Sequence, residues 1–209
     1  WVLQEVADAL MKVRTRYVES RGCGWGPAAY AIAIAFSLFS TAGGVAAQGL
    51  PETVIGKAQI YDGVTFDLIQ DGGRYRTATR IRLEAVDSCE LRQKARLGNV
   101  DWPCGAVATA WLASRTLVKE VECRPTRVIP GGGYRAQCYV DAIDIAALGL
   151  GQGMYVLAVS KHEDPLPGYA EIEAKAKAAS AGIWSSNFMT PADWRRANGT
   201  YNPLSPQRW

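Results

Sequence analysis

The sequence predicts an α+β fold, a five-stranded Greek-key β-barrel of OB type carrying about three helices. Three observations predict it: strand-like runs separated by Asp-Gly turns, a helical stretch after them, and a β-hairpin followed by further helical stretches. With 209 residues, 48% hydrophobic and 21% charged, the chain can bury one packed core, and wholesale disorder is excluded.

The elements are expected in the following order. Val54–Tyr61, Thr65–Gln70 and Ala78–Val86 alternate or run apolar as strands do, with turns at Asp62-Gly63 and Asp71-Gly72-Gly73. From Pro103 to Leu117 the spacing is helical, with Val107, Ala110, Trp111 and Leu117 apolar and Pro103 suited to the first turn. Two β-rich runs, VECR and YRAQCYV, are joined by the turn IPGGG. Ile143–Leu150 reads as a short helix and Met154–Val159 as an apolar extended segment. Pro167-Gly168 opens a long helix that Gly182 ends, with Glu171, Glu173, Lys175 and Lys177 on its exposed face. Trp102, Trp111, Trp184 and Trp194 are expected to pack the core or helix seams, and Asp193-Trp194-Arg195 to dock the end of the chain.

The N-terminal part has the pattern of an export signal. No charge occurs from Gly22 to Pro51; Ala28 to Phe39 is an apolar run, preceded by Lys12, Arg14, Arg16 and Arg21. Val45-Ala46-Ala47 places small residues at a cleavage site before Gln48. Met11 begins a basic stretch and is the expected start, so that residues 1–10 are a start-site artefact or a fragment edge. The alternative is an uncleaved anchor, but the apolar run falls short of the roughly 20 residues a span needs. The organisation is then a signal and extension over 1–47, one domain over 48–197 and a poorly ordered tail over 198–209. The location is secreted or periplasmic, with no stable membrane insertion after cleavage, and the protein is a monomer.

Charge and cysteine content narrow the chemistry. A net charge of +3 excludes a polybasic nucleic-acid coat. The single histidine, His162, excludes any mechanism needing two imidazoles and reads as a solvated loop residue. Without Cys23 in the signal, Cys89, Cys104, Cys123 and Cys138 remain, an even number that favours two disulfides in an oxidising compartment. A hairpin places Cys123 beside Cys138 and leaves Cys89 with Cys104. A zinc site of four thiolates is the alternative; the paired spacing it usually shows is missing.

A set of short pieces then occurs in one order along the chain. They are Tyr61-Asp62-Gly63-Val64-Thr65, Ile81-Arg82-Leu83, Val86-Asp87-Ser88-Cys89-Glu90, Pro103-Cys104-Gly105 and Gly133-Tyr134-Arg135. Glu171 and Glu173 lead on to Ala181-Gly182-Ile183-Trp184, and Asp193-Trp194-Arg195 closes the series. In this order the chain resembles the staphylococcal nuclease (thermonuclease) family, in its exported bacterial branch with extra cysteines, from about Ala58 to Arg195.

Phosphodiester cleavage needs charge neutralised at phosphorus, an aligned water and a base. From the residues alone, the candidates are the carboxylate pair Asp87 and Glu90 at a strand exit, and the arginines Arg82 and Arg135, whose planar guanidinium matches two phosphate oxygens. The resemblance implies that Glu90 is the general base, Arg82 and Arg135 the phosphate clamps, Asp87 a calcium ligand and Ser88 a backbone-carbonyl ligand. It also implies a Ca2+ cofactor, which one departure puts in question. Val64 stands where the family carries a second metal carboxylate, and a valine offers no oxygen to a cation that wants six to eight. Asp62 is then expected only in the second shell of the metal. The aromatic residues that flank a base in the family are replaced around Val159–Lys161.

Two readings follow. The first is an exported, metal-dependent nuclease hydrolysing DNA or RNA with a weakened metal site. The second is a catalytically degenerate module of the same fold that binds nucleic acid, single-stranded DNA or RNA, or another phosphate polyanion. A structural envelope protein with a vestigial site is a weaker third.

Overall fold

The structure is a computed structural model, and it describes residues 49–158 and 166–200. The expected export signal, the Val159–Lys161 segment, His162 and the end of the expected tail lie outside the described residues.

Five strands close a barrel. β1 (Val54–Ile60), β2 (Thr65–Asp71) and β3 (Arg76–Leu83) form an antiparallel meander. β7 (Glu120–Val128) pairs with β1 on one side and with β8 (Tyr134–Val140) on the other. The parallel pairing of β3 with β8 closes the ring, matching Ile81 with Tyr134, Arg82 with Arg135 and Leu83 with Ala136. Closure leaves these strands without a free edge. The three expected opening strands are present, and Pro125 sits where β7 shifts register against β8, a place in a sheet that tolerates a missing N–H.

Short strands trim the barrel. β4 (Val86–Asp87) pairs with β10 (Val156–Leu157), β5 (Ala95–Leu97) with β6 (Val100–Trp102), and β9 (Ile143–Asp144) with the end of β8. Of the extended segment expected over Met154–Val159, Val156–Leu157 pair as a strand, and Val159 lies outside the described residues. Phe66, Leu68, Ile81, Leu83 and Val121 of the barrel strands are fully buried, and Leu112 and Tyr155, also fully buried, join the same core.

Four α-helices surround the barrel among the described residues, one more than the sequence predicts. α1 (Cys104–Thr116) follows Pro103, which sits at its N-cap. Its buried residues are Cys104, Gly105, Ala108, Leu112 and Thr116, while Val107, Ala110 and Leu117, the apolar residues at helical spacing, are exposed and Trp111 is half-buried. The rotation is set at the first turn, where Cys104 is bonded to Cys89 and Gly105 lies against the Glu90 carbonyl so closely that a Cβ would collide with it. α2 (Ile145–Gly151) is capped by the Asp144 carboxylate, which accepts from the Ala146 and Ala147 N–H groups. α3 (Tyr169–Ala178) buries Tyr169, Glu173 and Ala176. Glu173 is therefore not on the exposed face: its carboxylate accepts from the Leu157 N–H at 2.8 Å and from Lys177 at 2.7 Å, fixing β10 to α3.

The additional helix, α4 (Pro191–Asn198), starts at Thr190. The Thr190 hydroxyl accepts from the Asp193 N–H, and Pro191 occupies the first turn. The Thr-Pro-x-Asp pattern is a start signal that can be read in the sequence.

Both disulfides pair as expected. Cys123 and Cys138 face each other across β7 and β8, and Cys89–Cys104 joins the loop after β4 to the start of α1. Each closes a span of 15 residues, worth about 3 kcal/mol in the chain-entropy account. Cys89, Cys104, Ala95 and Ile183 form a second small core, packed by Trp102, Trp184 and Phe188.

Candidate functional site

The site is assembled where β3 and β8 run side by side. Arg82 is the penultimate residue of β3; three residues later Ala85 adopts φ +59°, and the chain re-enters as β4 with Asp87 buried at its end. The bend brings Asp87 back over Arg82, whose Nη2 donates to Asp87 Oδ1 at 2.9 Å and whose Nη1 donates to Thr65 Oγ1 at 3.3 Å. Arg135 lies opposite Arg82 on β8.

The arginine of Asp193-Trp194-Arg195 completes the site. α4 carries Arg195 across the acid pair, Nη2 donating to Asp87 Oδ2 and Nη1 to Glu90 Oε1, each at 2.6 Å. Asp87 is thus held between two guanidinium groups, and one of them also holds Glu90. These are charge-assisted bonds to side chains that are 6% and 13% exposed for Asp87 and Glu90, so removing the cation would leave buried charge uncompensated. The Asp87 hydrogen bond, aided by that of Glu90, raises the Arg195 pKa above its already high ordinary value.

The loop carrying Glu90 is pinned from three sides. Cys89 is bonded to Cys104. Gln93, 1% exposed, accepts from the Glu90 N–H at 3.0 Å and returns its own N–H to the Glu90 carbonyl at 2.7 Å. Its side-chain amide then donates to the Met189 carbonyl at 2.6 Å, tying the loop to the segment that enters α4. Gly63 lies against Ser88, where a Cβ would collide with the Ser88 hydroxyl, and this brings the β1–β2 turn up to the Asp87–Ser88 corner.

Arg135 differs from its neighbour. Its Nη1 is buried and makes no hydrogen bond, and burial followed by the like charge of Arg82 lowers its pKa. Arg127 adds a further like charge, while Glu84 and Asp87 oppose it. Glu84 is itself engaged, accepting from the Arg127 Nη2 at 2.9 Å and from the Thr126 hydroxyl. Arg82, Arg127, Arg135 and Arg195 thus stand against Glu84, Asp87 and Glu90, a cluster with excess positive charge.

Beside Asp87 and Arg195 a groove of about 550 Å³ opens, with Leu157, Lys177, Trp184 and Phe188 along it. Trp184 and Phe188 meet edge to face at 5.3 Å, and the Lys177 ammonium sits 4.5 Å above the Trp184 ring.

The residues present do not fit calcium. Val64 is 2% exposed and packs into the barrel core, so it supplies neither an oxygen nor room for one. Asp87 spends Oδ1 on Arg82 and the Ser88 N–H and Oδ2 on Arg195. Asp62 Oδ1 accepts from the N–H groups of Val64 and Thr65 at 2.8 and 2.7 Å, closing the β1–β2 turn. Among the described residues, no group of three or more His, Cys, Asp or Glu side chains is placed to hold a metal ion.

The structure therefore brings Arg82, Arg135, Asp87, Ser88 and Glu90 together and sets Asp62 into a turn. It adds two residues to which sequence reasoning gave no role at the site, Arg195 and Gln93. Arg195 carried a signal in its Asp-Trp-Arg motif; Gln93 carried none. No protein-family model and no curated protein matches the chain.

Proposed function

We propose that this chain is an exported protein of thermonuclease type that binds the phosphodiester backbone of single-stranded nucleic acid at Arg82 and Arg135. The observation that carries the reading is the Arg82–Arg135 pair: two like charges directly opposite on neighbouring strands, one with a buried donor and no partner. Such an arrangement destabilises an empty protein and is relieved by an anion that accepts from both guanidiniums. The groove beside Asp87 and Arg195 is lined in part by Trp184 and Phe188, which suits unstacked bases beside a gripped backbone. Two disulfides accord with an oxidising compartment outside the cytoplasm.

A second reading, hydrolysis of the bound phosphodiester, is favoured by Glu90. Its Oε1 is held by Arg195, and Oε2 has no hydrogen bond among the described residues, so that one carboxylate oxygen can take a proton from water. Arg82 and Arg135 would neutralise the charge that develops on phosphorus.

Fluorescence anisotropy of a labelled single-stranded oligonucleotide separates these readings. Binding that weakens at least tenfold on Arg135→Ala and steeply with salt supports the phosphate clamp. Salt-insensitive binding, or none, overturns it. Cleavage of the same oligonucleotide that Glu90→Gln removes establishes the second reading.

A further inference from the structure

The acid pair carries a cation that belongs to the chain. Asp87 and Glu90 lie 105 and more residues before Arg195 in sequence, yet both point a carboxylate oxygen at one guanidinium at 2.6 Å. With Arg82 on the other side of Asp87, two carboxylates meet two guanidiniums and the local charge is balanced. A divalent ion gains affinity with each uncompensated carboxylate it meets, and here none is uncompensated while the third position is Val64. A guanidinium bonds two carboxylates through its fork, whereas an ammonium acts as a point charge. The fork is also rigidly delivered: Thr190 caps α4, and Gln93 ties the preceding Met189 to the Glu90 loop.

We infer that Arg195 is the resident cation of this site, a positioning residue that holds Asp87 and Glu90 in the arrangement a divalent ion would otherwise impose. The site keeps its geometry without calcium, and α4 is an integral part of it. This assignment rests on the phosphodiester reading only for the ligand that the site faces.

The test uses the full chain and its Arg195→Met and Arg195→Lys variants, unfolded thermally in EDTA and in about 10 mM calcium chloride, above the range of weak extracellular calcium sites. The wild type and Arg195→Lys are expected to unfold at the same temperature with and without calcium. Arg195→Met is expected to unfold roughly 5 °C lower or more in EDTA, and calcium to restore at least half of that loss. If Arg195→Met does not fold, Arg195→Gln takes its place, and terbium luminescence gives a second readout. Terbium binding that calcium displaces is expected in the variant alone. A wild type stabilised by calcium as strongly as the variant, or a variant indifferent to calcium, overturns the inference. Loss of oligonucleotide binding on Arg135→Ala is read separately, and its absence would sink the phosphodiester reading while leaving these temperature differences as they are.

Discussion

Arg82 and Arg135 are direct partners across the parallel seam that closes the barrel, and the Arg135 Nη1 is buried there without a hydrogen bond. The seam is where a closed barrel can least easily adjust, so the repulsion between the two is built into the frame. Removing one charge should therefore stabilise the protein while costing it its ligand. Arg135→Gln is expected to raise the unfolding temperature by about 2–4 °C, equivalent to about 1 kcal/mol, and to weaken oligonucleotide binding at least tenfold. Differential scanning calorimetry and anisotropy on the same preparation check it. A variant that binds as well as the wild type would show that the pair is not the clamp.

Gln93 has a role disproportionate to its chemistry. Its side-chain amide, 1% exposed, satisfies the Glu90 N–H and the Met189 carbonyl while its backbone N–H serves the Glu90 carbonyl, so it sets the height of the base candidate and the entry to α4 together. Gln93→Ala leaves the Glu90 N–H and the Met189 carbonyl without these partners and is expected to cost about 1–3 kcal/mol. Urea denaturation should show the loss as a lower midpoint with an unchanged slope. Gln93→Glu, which keeps the acceptor but places a charge in the same buried position, should cost at least as much.

What could be read from sequence and what could not divides along contact distance. β1 and β2 were legible because burial alternates along Val54–Ile60 and the turn at Asp62 is a local hydrogen-bonded unit. The Cys123–Cys138 bridge was legible because a hairpin with a short turn makes the two positions face each other. The inward face of α1 was not, since it is fixed by Cys89 and the Glu90 carbonyl rather than by the helix's own periodicity. Glu173 looked like a solvated helix residue, and only the arrival of β10 made it an acceptor for Leu157. Arg195 sits in a motif that marks chain-end docking, and nothing local reveals that its partners are 105 and 108 residues away.

Acid should unfold the barrel in part through Asp67. Burial works to raise its carboxyl, but the Arg80 and Tyr61 hydrogen bonds outweigh that and hold its pKa below the usual value. A carboxylate depressed in the folded state contributes stability that is present above about pH 4 and lost as pH falls through the folded value. Asp67→Asn is expected to be less stable than the wild type at pH 7 by about 1–3 kcal/mol, and the two curves to converge as pH falls below about 4. A difference that stays constant through that fall would mean that the Arg80 pairing is not what titrates.

The two disulfides should separate in their effect on the site. Each contributes about 3 kcal/mol by loop closure, but only Cys89–Cys104 touches the loop that carries Glu90. The double replacement of Cys89 and Cys104 by Ser is expected to lower the unfolding temperature and weaken oligonucleotide binding. The same replacement of Cys123 and Cys138, buried in the barrel core between β7 and β8, is expected to lower the temperature alone. Equal effects of both pairs on binding would show that the loop is held by Gln93 and packing, not by the bridge.

Val64 and Arg195 should show strong non-additivity. Val64→Asp introduces a carboxylate into a core position that is 2% exposed and is expected to cost on the order of 3 kcal/mol. In the presence of Arg195 the new charge adds one carboxylate to a pair that is already neutralised, so calcium should return little of that cost. Combined with Arg195→Met, three carboxylates meet near one point with Arg82 still bonded to Asp87, and calcium should then stabilise the double variant by more than the sum of its effects on the two single variants. The measurement is the unfolding temperature with calcium minus that with EDTA in the four proteins. A Val64→Asp protein that gains as much from calcium as the double variant would show that Arg195 yields to the ion, and that Val64 alone separates this site from a metal centre.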